Sequence, residues 1–152
     1  MLLIFMGASC TGKSTVAELL KTRENLEVYS GKDYLRFAKN EFEAWNKFSE
    51  KLVEVSQNPG INSKSIIYII TDQKDLRKIE SFENTLLVKF TADLNVIKER
   101  FSKRMNGHLP FPLEKMLERQ LNEWKDVSTH IDVDTTDIDP LDIIKRLIEN
   151  IK

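Results

Sequence analysis

Apolar residues in this chain follow two rhythms. Short, nearly unbroken runs occur at 2–6 (LLIFM), 65–71 (SIIYIIT) and 86–90 (LLVKF), the pattern of strands covered on both faces. Residues 26–30 (LEVYS) alternate, as a half-covered strand does, and Ile131 and Val133 mark a last short strand. Between these runs apolar positions recur every three or four residues, the period of a helix. Val16, Ala17, Leu19 and Leu20 form one such face, and Leu35, Ala38, Phe42, Trp45, Phe48, Leu52 and Val55 form another. The second stripe predicts one long helix over 35–55, with its aromatic side in the core rather than serving as a stacking platform, and Asn58-Pro59-Gly60 ends it. Further helices are expected at 76–79, 94–105 and 113–124. Asp139-Pro140 opens a last one, with aspartate as cap and proline in the first turn. Strands alternating with helices predict an α/β fold of three layers, α/β/α, around a parallel sheet of about five strands, with residues 1–152 forming one domain.

The turn after the first strand carries the clearest chemistry. Gly7-Ala8-Ser9-Cys10-Thr11-Gly12-Lys13-Ser14-Thr15 reads G-x-x-x-x-G-K-S, between a strand and a helix. That is the P-loop pattern of a P-loop NTPase fold, in the context the pattern requires. Glycines at 7 and 12 let the backbone bend and approach a phosphate closely. Successive amides then form an anion nest, reinforced by the positive end of the following helix. Lys13 is expected to reach the β- and γ-phosphates of ATP, and the Ser14 hydroxyl to ligate Mg²⁺.

Two carboxylates follow strand ends, where ligands bind in open α/β sheets. Asp33 lies just past 26–30, placed to meet an acceptor or to cap the next helix, and the two roles are compatible. Asp72 ends the run at 65–71. It has the layout of a Walker B aspartate holding Mg²⁺, or is a turn residue within Asp72-Gln73-Lys74-Asp75. Arg36 and Arg77 are candidates for holding the acceptor, and otherwise lie on solvated helix surface. Arg100 and Arg104 share a helix face four residues apart, next to a Gly- and Pro-punctuated segment at 106–112. That segment is expected to act as a lid over a nucleotide, within about 105–113. Arginine suits both stacking on a base and neutralising a transferring phosphoryl group. Residues 134–137 (DTTD), after the last strand, are candidates for the base pocket.

Composition narrows the classes. Charged residues are 31% and the net charge is −1, which points away from a nucleic-acid binder and from a membrane-surface protein. The single Cys10 has no disulfide or metal partner pattern. The first apolar run is shorter than a signal peptide and lacks a basic flank. The expectation is a cytoplasmic protein, monomer or homodimer, acting on a small-molecule or nucleotide acceptor. A GTPase reading lacks the N-K-x-D and D-x-x-G signatures.

Over nearly its full length the chain resembles P-loop small-molecule and nucleotide kinases: nucleoside monophosphate kinases, shikimate kinase and gluconokinase. The resemblance runs through the P-loop, Asp33, Asp72, the E-R-x-x-x-R helix ending at Arg104, the lid and a D-x-T strand. Met6 to Ser14, Gly107-His108, Met116-Leu117 and Gln120 look like the gluconokinase loop and its G-H-F and L-L-x-S-Q segments. The resemblance implies ATP-dependent phosphoryl transfer. Lys13, Asp33 and Arg104 would be catalytic, Arg100 would lie near adenine, and Ser14 and Asp72 would lie on Mg²⁺. It does not carry over an acceptor, because the gluconokinase H-P-x-x-N, adenylate kinase D-G-x-P-R and shikimate-binding patterns are absent. Among acceptors a nucleotide or nucleoside is preferred, because Lys32, Arg36 and Arg77 are placed to hold an acceptor phosphate. A gluconate- or shikimate-type metabolite kinase and, from another class, a catalytically silent ATP-binding regulatory protein are the alternatives.

Overall fold

The computed structural model describes residues 1–151. Five strands, β1 (Leu2–Met6), β2 (Glu27–Ser30), β3 (Ile66–Ile70), β4 (Thr85–Thr91) and β5 (Ile131–Asp134), form one parallel sheet in the order β2-β3-β1-β4-β5. The helices are α1 (Lys13–Glu24), α2 (Glu41–Ser56), α3 (Gln73–Ile79), α4 (Leu94–Arg104), α5 (Phe111–Lys125) and α6 (Pro140–Ile151). Among the described residues no helix is long and apolar enough to cross a membrane.

The unbroken apolar sequence of β1 follows from its place at the centre of the sheet. Its Leu3 lies opposite Ile67 on one side and Leu86 on the other. Leu2, Ile4 and Met6 face α2, α3 and Trp124 of α5, whereas Leu3 and Phe5 face α1 and α6. Both faces are therefore covered, and the architecture is three-layered as the alternation of elements predicts. The chain leaves β1 toward β2 on one side and leaves β3 toward β4 on the other. These adjacent strands form the topological switch point, where a crevice opens at the carboxyl edge.

The single helix expected over 35–55 is two elements. Residues Asp33–Phe37 form a 3₁₀ turn, Ala38 is extended, and α2 starts afresh at Glu41. The cause is Asn40, whose Oδ1 accepts hydrogen bonds from the amides of Phe42 at 2.8 Å and Glu43 at 3.2 Å, a strong N-cap. The stripe therefore does not run through Phe42, which is 74% exposed. Ala44, Phe48, Leu52 and Val55 form the buried face instead. Apolar periodicity persists across the break because the turn and the helix feed one aromatic cluster. The Phe48 ring lies 5.1–6.1 Å from the rings of Tyr29, Tyr34, Phe37, Trp45 and Tyr68.

The segment expected as loop over 106–112 gives way to helix at Phe111, because Pro112 suits the first turn of α5. At the start of α6, Asp139 Oδ1 accepts from the amide of Leu141 at 2.9 Å, the cap expected from Asp-Pro.

Replacing Phe48 by Ala opens a cavity at the hub of the aromatic cluster and is expected to cost about 3–5 kcal/mol. Phe42→Ala is expected to stay within about 0.5 kcal/mol. Urea unfolding of the two variants checks the contrast.

Candidate active site

The turn between β1 and α1 is fixed from three directions. From below, Gly7 donates its amide to Ile70 O at 3.3 Å, and a Cβ at this position would stand 2.2 Å from Phe90 O. Only glycine lets the loop leave β1 this close to β4. From within, the buried Thr11 hydroxyl donates to Ala8 O at 2.8 Å. From the far side, the Thr135 hydroxyl donates to Thr11 O at 2.8 Å, while the Thr135 amide is held by Thr91 O at 2.8 Å. Arg100 completes this clamp, donating to Cys10 O at 3.0 Å and to Thr135 Oγ1 and O at 3.0 and 2.7 Å. Its guanidinium ties the loop to the segment after β5, so Arg100 acts here as a strut.

The loop amides and the first turn of α1 carry no acidic residue to offset them, which leaves the anion-attracting field of the helix terminus intact. Gly12, at φ 90°, turns the chain into α1. Lys13 is 5% exposed, and its ammonium donates to Gly7 O at 2.7 Å and Ala8 O at 2.5 Å. Burial pushes its pKa down to about 7, and nearby Arg104 adds to that shift. Burial raises the pKa of the Cys10 thiol, against the pull of Arg104, Lys13 and Arg100.

Two cavities meet over the loop. One, of about 190 Å³, is bordered by Ser9, Lys13, Ser14, Ser30, Thr71 and Arg104. A water takes about 30 Å³ of liquid, so the space suits a group several times larger. The other, of about 340 Å³, lies between α4 and the start of α6, bordered by Arg100, Lys103, Thr135, Ile138, Pro140 and Ile143. Cys10, Gly12, Thr15 and Arg104 border both. The result is a polar chamber over the amides joined to a part-apolar slot, at the carboxyl edge of β1, β2 and β3.

Of the other residues singled out in the sequence, Asp33 borders neither cavity itself and is bonded to Ser30, which borders the chamber. Its Oδ2 accepts from the Ser30 amide at 2.9 Å and from the Ser30 hydroxyl at 3.4 Å. Asp72 caps α3, accepting from the Lys74 amide at 3.1 Å, and borders neither cavity; its neighbour Thr71 does. Arg36 is exposed and donates to Asp33 O at 3.3 Å, and Arg77 is exposed on α3. The structure does not bring Arg36 and Arg77 to the loop. Among the described residues no group of three or more His, Cys, Asp or Glu side chains is arranged to hold a metal. The exposed Ser14 hydroxyl at the chamber fits Mg²⁺, which keeps several waters and takes few protein ligands beside phosphate oxygens.

Sequence reasoning passed over two contacts of α5. Gln120 Oε1 accepts from the Ser9 amide at 3.0 Å, and Trp124 Nε1 donates to Thr71 O at 2.8 Å. It also passed over Ser30 and Thr71, whose signal was available: a polar residue where an apolar strand ends.

No protein-family model matches the sequence, and no curated protein does. Solved structures match it over nearly its whole length. They include a gluconokinase from Sinorhizobium meliloti, with TM-score 0.61 and 15% identity over 98% of this chain and 90% of that one. A shikimate kinase from Acinetobacter baumannii, in complex with shikimate, matches with TM-score 0.63 and 12% identity over 97% and 90%. YorR protein from Bacillus subtilis, in complex with phosphorylated GDP, matches with TM-score 0.62 and 25% identity over 98% and 94%. The fold is that of the P-loop small-molecule kinases.

Gly7→Ala forces β1 and β4 apart and is expected to cost at least about 2 kcal/mol. Gly31→Ala meets nothing within 4 Å and is expected to cost only about 1 kcal/mol for its left-handed backbone. Thermal unfolding of both variants checks the difference.

Proposed function

We propose that the chain is an ATP-dependent phosphotransferase that moves the γ-phosphoryl group to a hydroxyl of a small acceptor. The observation that carries this reading is the pair of joined cavities over the glycine loop, one polar and amide-lined, the other slot-like and part-apolar. They match a triphosphate with its base. In this reading the base lies between α4 and the start of α6, beside Arg100 and Thr135, and the phosphates lie over the amides of 9–15.

The acceptor side favours a hydroxylated metabolite, in the manner of a gluconate or shikimate, over a nucleotide or nucleoside. The chamber wall offers the hydroxyls of Ser30 and Thr71. Lys32, Arg36 and Arg77, the candidates for holding an acceptor phosphate, are exposed and border neither cavity. Asp33 has one carboxylate oxygen held by Ser30 and the other free to take the proton of the attacking hydroxyl. The acceptor oxygen, freed of its proton, then bonds to the γ-phosphorus, the β–γ bridge breaks, and ADP leaves with the electron pair. Lys13 exchanges its contacts with Gly7 O and Ala8 O for phosphate oxygens, and Arg104, at the junction of the cavities, neutralises charge on the group in flight. Mg²⁺, when bound, would supply neutralisation of charge on the phosphates. Ser14 is its protein ligand in this reading, and Asp72 keeps its role as a helix cap. Residues 105–110, between α4 and α5, form the lid and carry Arg104 at their base. The absence of a membrane-crossing helix among the described residues and the small-molecule chemistry support a cytoplasmic enzyme.

ADP release measured with a panel of sugar acids, other polyhydroxy compounds, nucleosides and nucleoside monophosphates tests the proposal. A polyhydroxy acid is expected to stimulate release at least about tenfold, and Lys13→Ala to abolish it. Stimulation only by a nucleotide overturns the acceptor assignment, and stimulation by none overturns the enzyme.

The depressed pKa of Lys13 gives a second test. With a free-state pKa of about 7, most chains at pH 8 carry a neutral Lys13, whereas phosphate oxygens favour the cation. ATP binding at pH 8 is therefore expected to take up close to one proton. Its affinity should weaken by up to about tenfold per pH unit above 7. Calorimetry in two buffers of different ionisation enthalpy reads the uptake; zero uptake contradicts it.

A further inference from the structure

Helix α5 touches the glycine loop through one side chain. The Ser9 amide donates to Gln120 Oε1 at 3.0 Å, across 111 residues of sequence. A backbone N–H can bond only to the oxygen of a carboxamide, so this contact settles which way the Gln120 amide faces. Its NH₂ group makes no hydrogen bond to any described residue. Because no buried side-chain nitrogen or oxygen lacks a partner, that group is open to solvent. One turn further along α5, Trp124 Nε1 is bonded to Thr71 O. Ser9 and Thr71 both border the polar chamber, so the helix is fastened behind two residues of its wall, and Gln120 itself borders neither cavity. The salt bridges of Lys98 to Glu114 at 2.8 Å and to Glu118 at 3.0 Å tie the same helix to α4. Gln120 is thus held on a rigid element, with its acceptor oxygen used and its donors free beside Ser9.

We infer that Gln120 is a catalytic residue whose NH₂ group donates to the phosphoryl group as it moves between ADP and the acceptor oxygen. The inference rests on the phosphotransferase reading and deepens it. In the ground state Gln120 steadies the loop through Ser9. As the β–γ bond lengthens and the acceptor oxygen closes in, charge spreads over the equatorial oxygens of the moving group. A fixed donor at that point stabilises this charge more than it stabilises bound ATP. No proton changes place on Gln120, and the bonds made and broken are those of the transfer itself.

The test uses the full chain with ADP and Mg²⁺, with and without aluminium fluoride as a mimic of the moving group, and reads the Kd of ADP. Gln120→Met removes both halves of the carboxamide, and Gln120→Glu keeps an oxygen for the Ser9 amide while removing the donor. The expected result is ADP affinity within about threefold of wild type for both variants. The gain in affinity on adding aluminium fluoride is expected to fall at least about tenfold in both. Three outcomes overturn the inference: an unchanged gain in Gln120→Met, a gain lost in Gln120→Met but kept in Gln120→Glu, or ADP affinity falling in parallel with the gain. The second and third would assign Gln120 to holding the loop alone. A wild-type chain that binds ADP but gains nothing from aluminium fluoride also overturns it. A wild-type chain that fails to bind ADP at all overturns the nucleotide reading beneath it, so the two failures are told apart.

Discussion

The position of the glycine loop depends on a side chain that is absent. At Gly7 the main chain passes so near the Phe90 carbonyl that a Cβ would stand 2.2 Å from it. That closeness lets β4 pair fully with β1 up to the point where the loop departs. The loop is then clamped from above by Thr135, whose own amide is bonded to β4 at Thr91. Loop, strand and clamp thus refer to one another through β4. Amides that must converge on one point in space need this over-determined support, because a donor displaced by an ångström contributes little to charge stabilisation.

Much of this was legible in the sequence, and the rest was hidden for identifiable reasons. The runs LLIFM and SIIYIIT reveal central strands because burial on both faces leaves no room for polar alternation. The glycine spacing reveals the loop because the backbone path itself demands glycine at positions 7 and 12. The break at 38–40 was masked: the aromatics on either side pack into one cluster, so the apolar rhythm continues through a change of element. Asn40 was the available signal, being a cap residue inside an apparent helix.

The contacts of Gln120 and Thr135 were illegible for a different reason. They join residues 111 and 124 positions apart, and nothing local marks a glutamine on a helix as the partner of a distant amide. Arg100 shows the same limit from the other side. Its spacing from Arg104 indicates a shared helix face, but only the assembled fold shows one arginine fastening the loop while the other borders both cavities. Helical spacing specifies direction from the axis, and the neighbouring layers decide what lies in that direction.

The two borders of the sheet carry a consequence for assembly. β2 and β5 are its outermost strands, and each is only four residues long. Glu27 stands on one, paired with Lys51, and Asp132 and Asp134 stand on the other. Brief, acid-bearing margins resist strand-to-strand annealing between molecules. Copies of this chain are therefore guarded against joining edge to edge into a continuous ribbon.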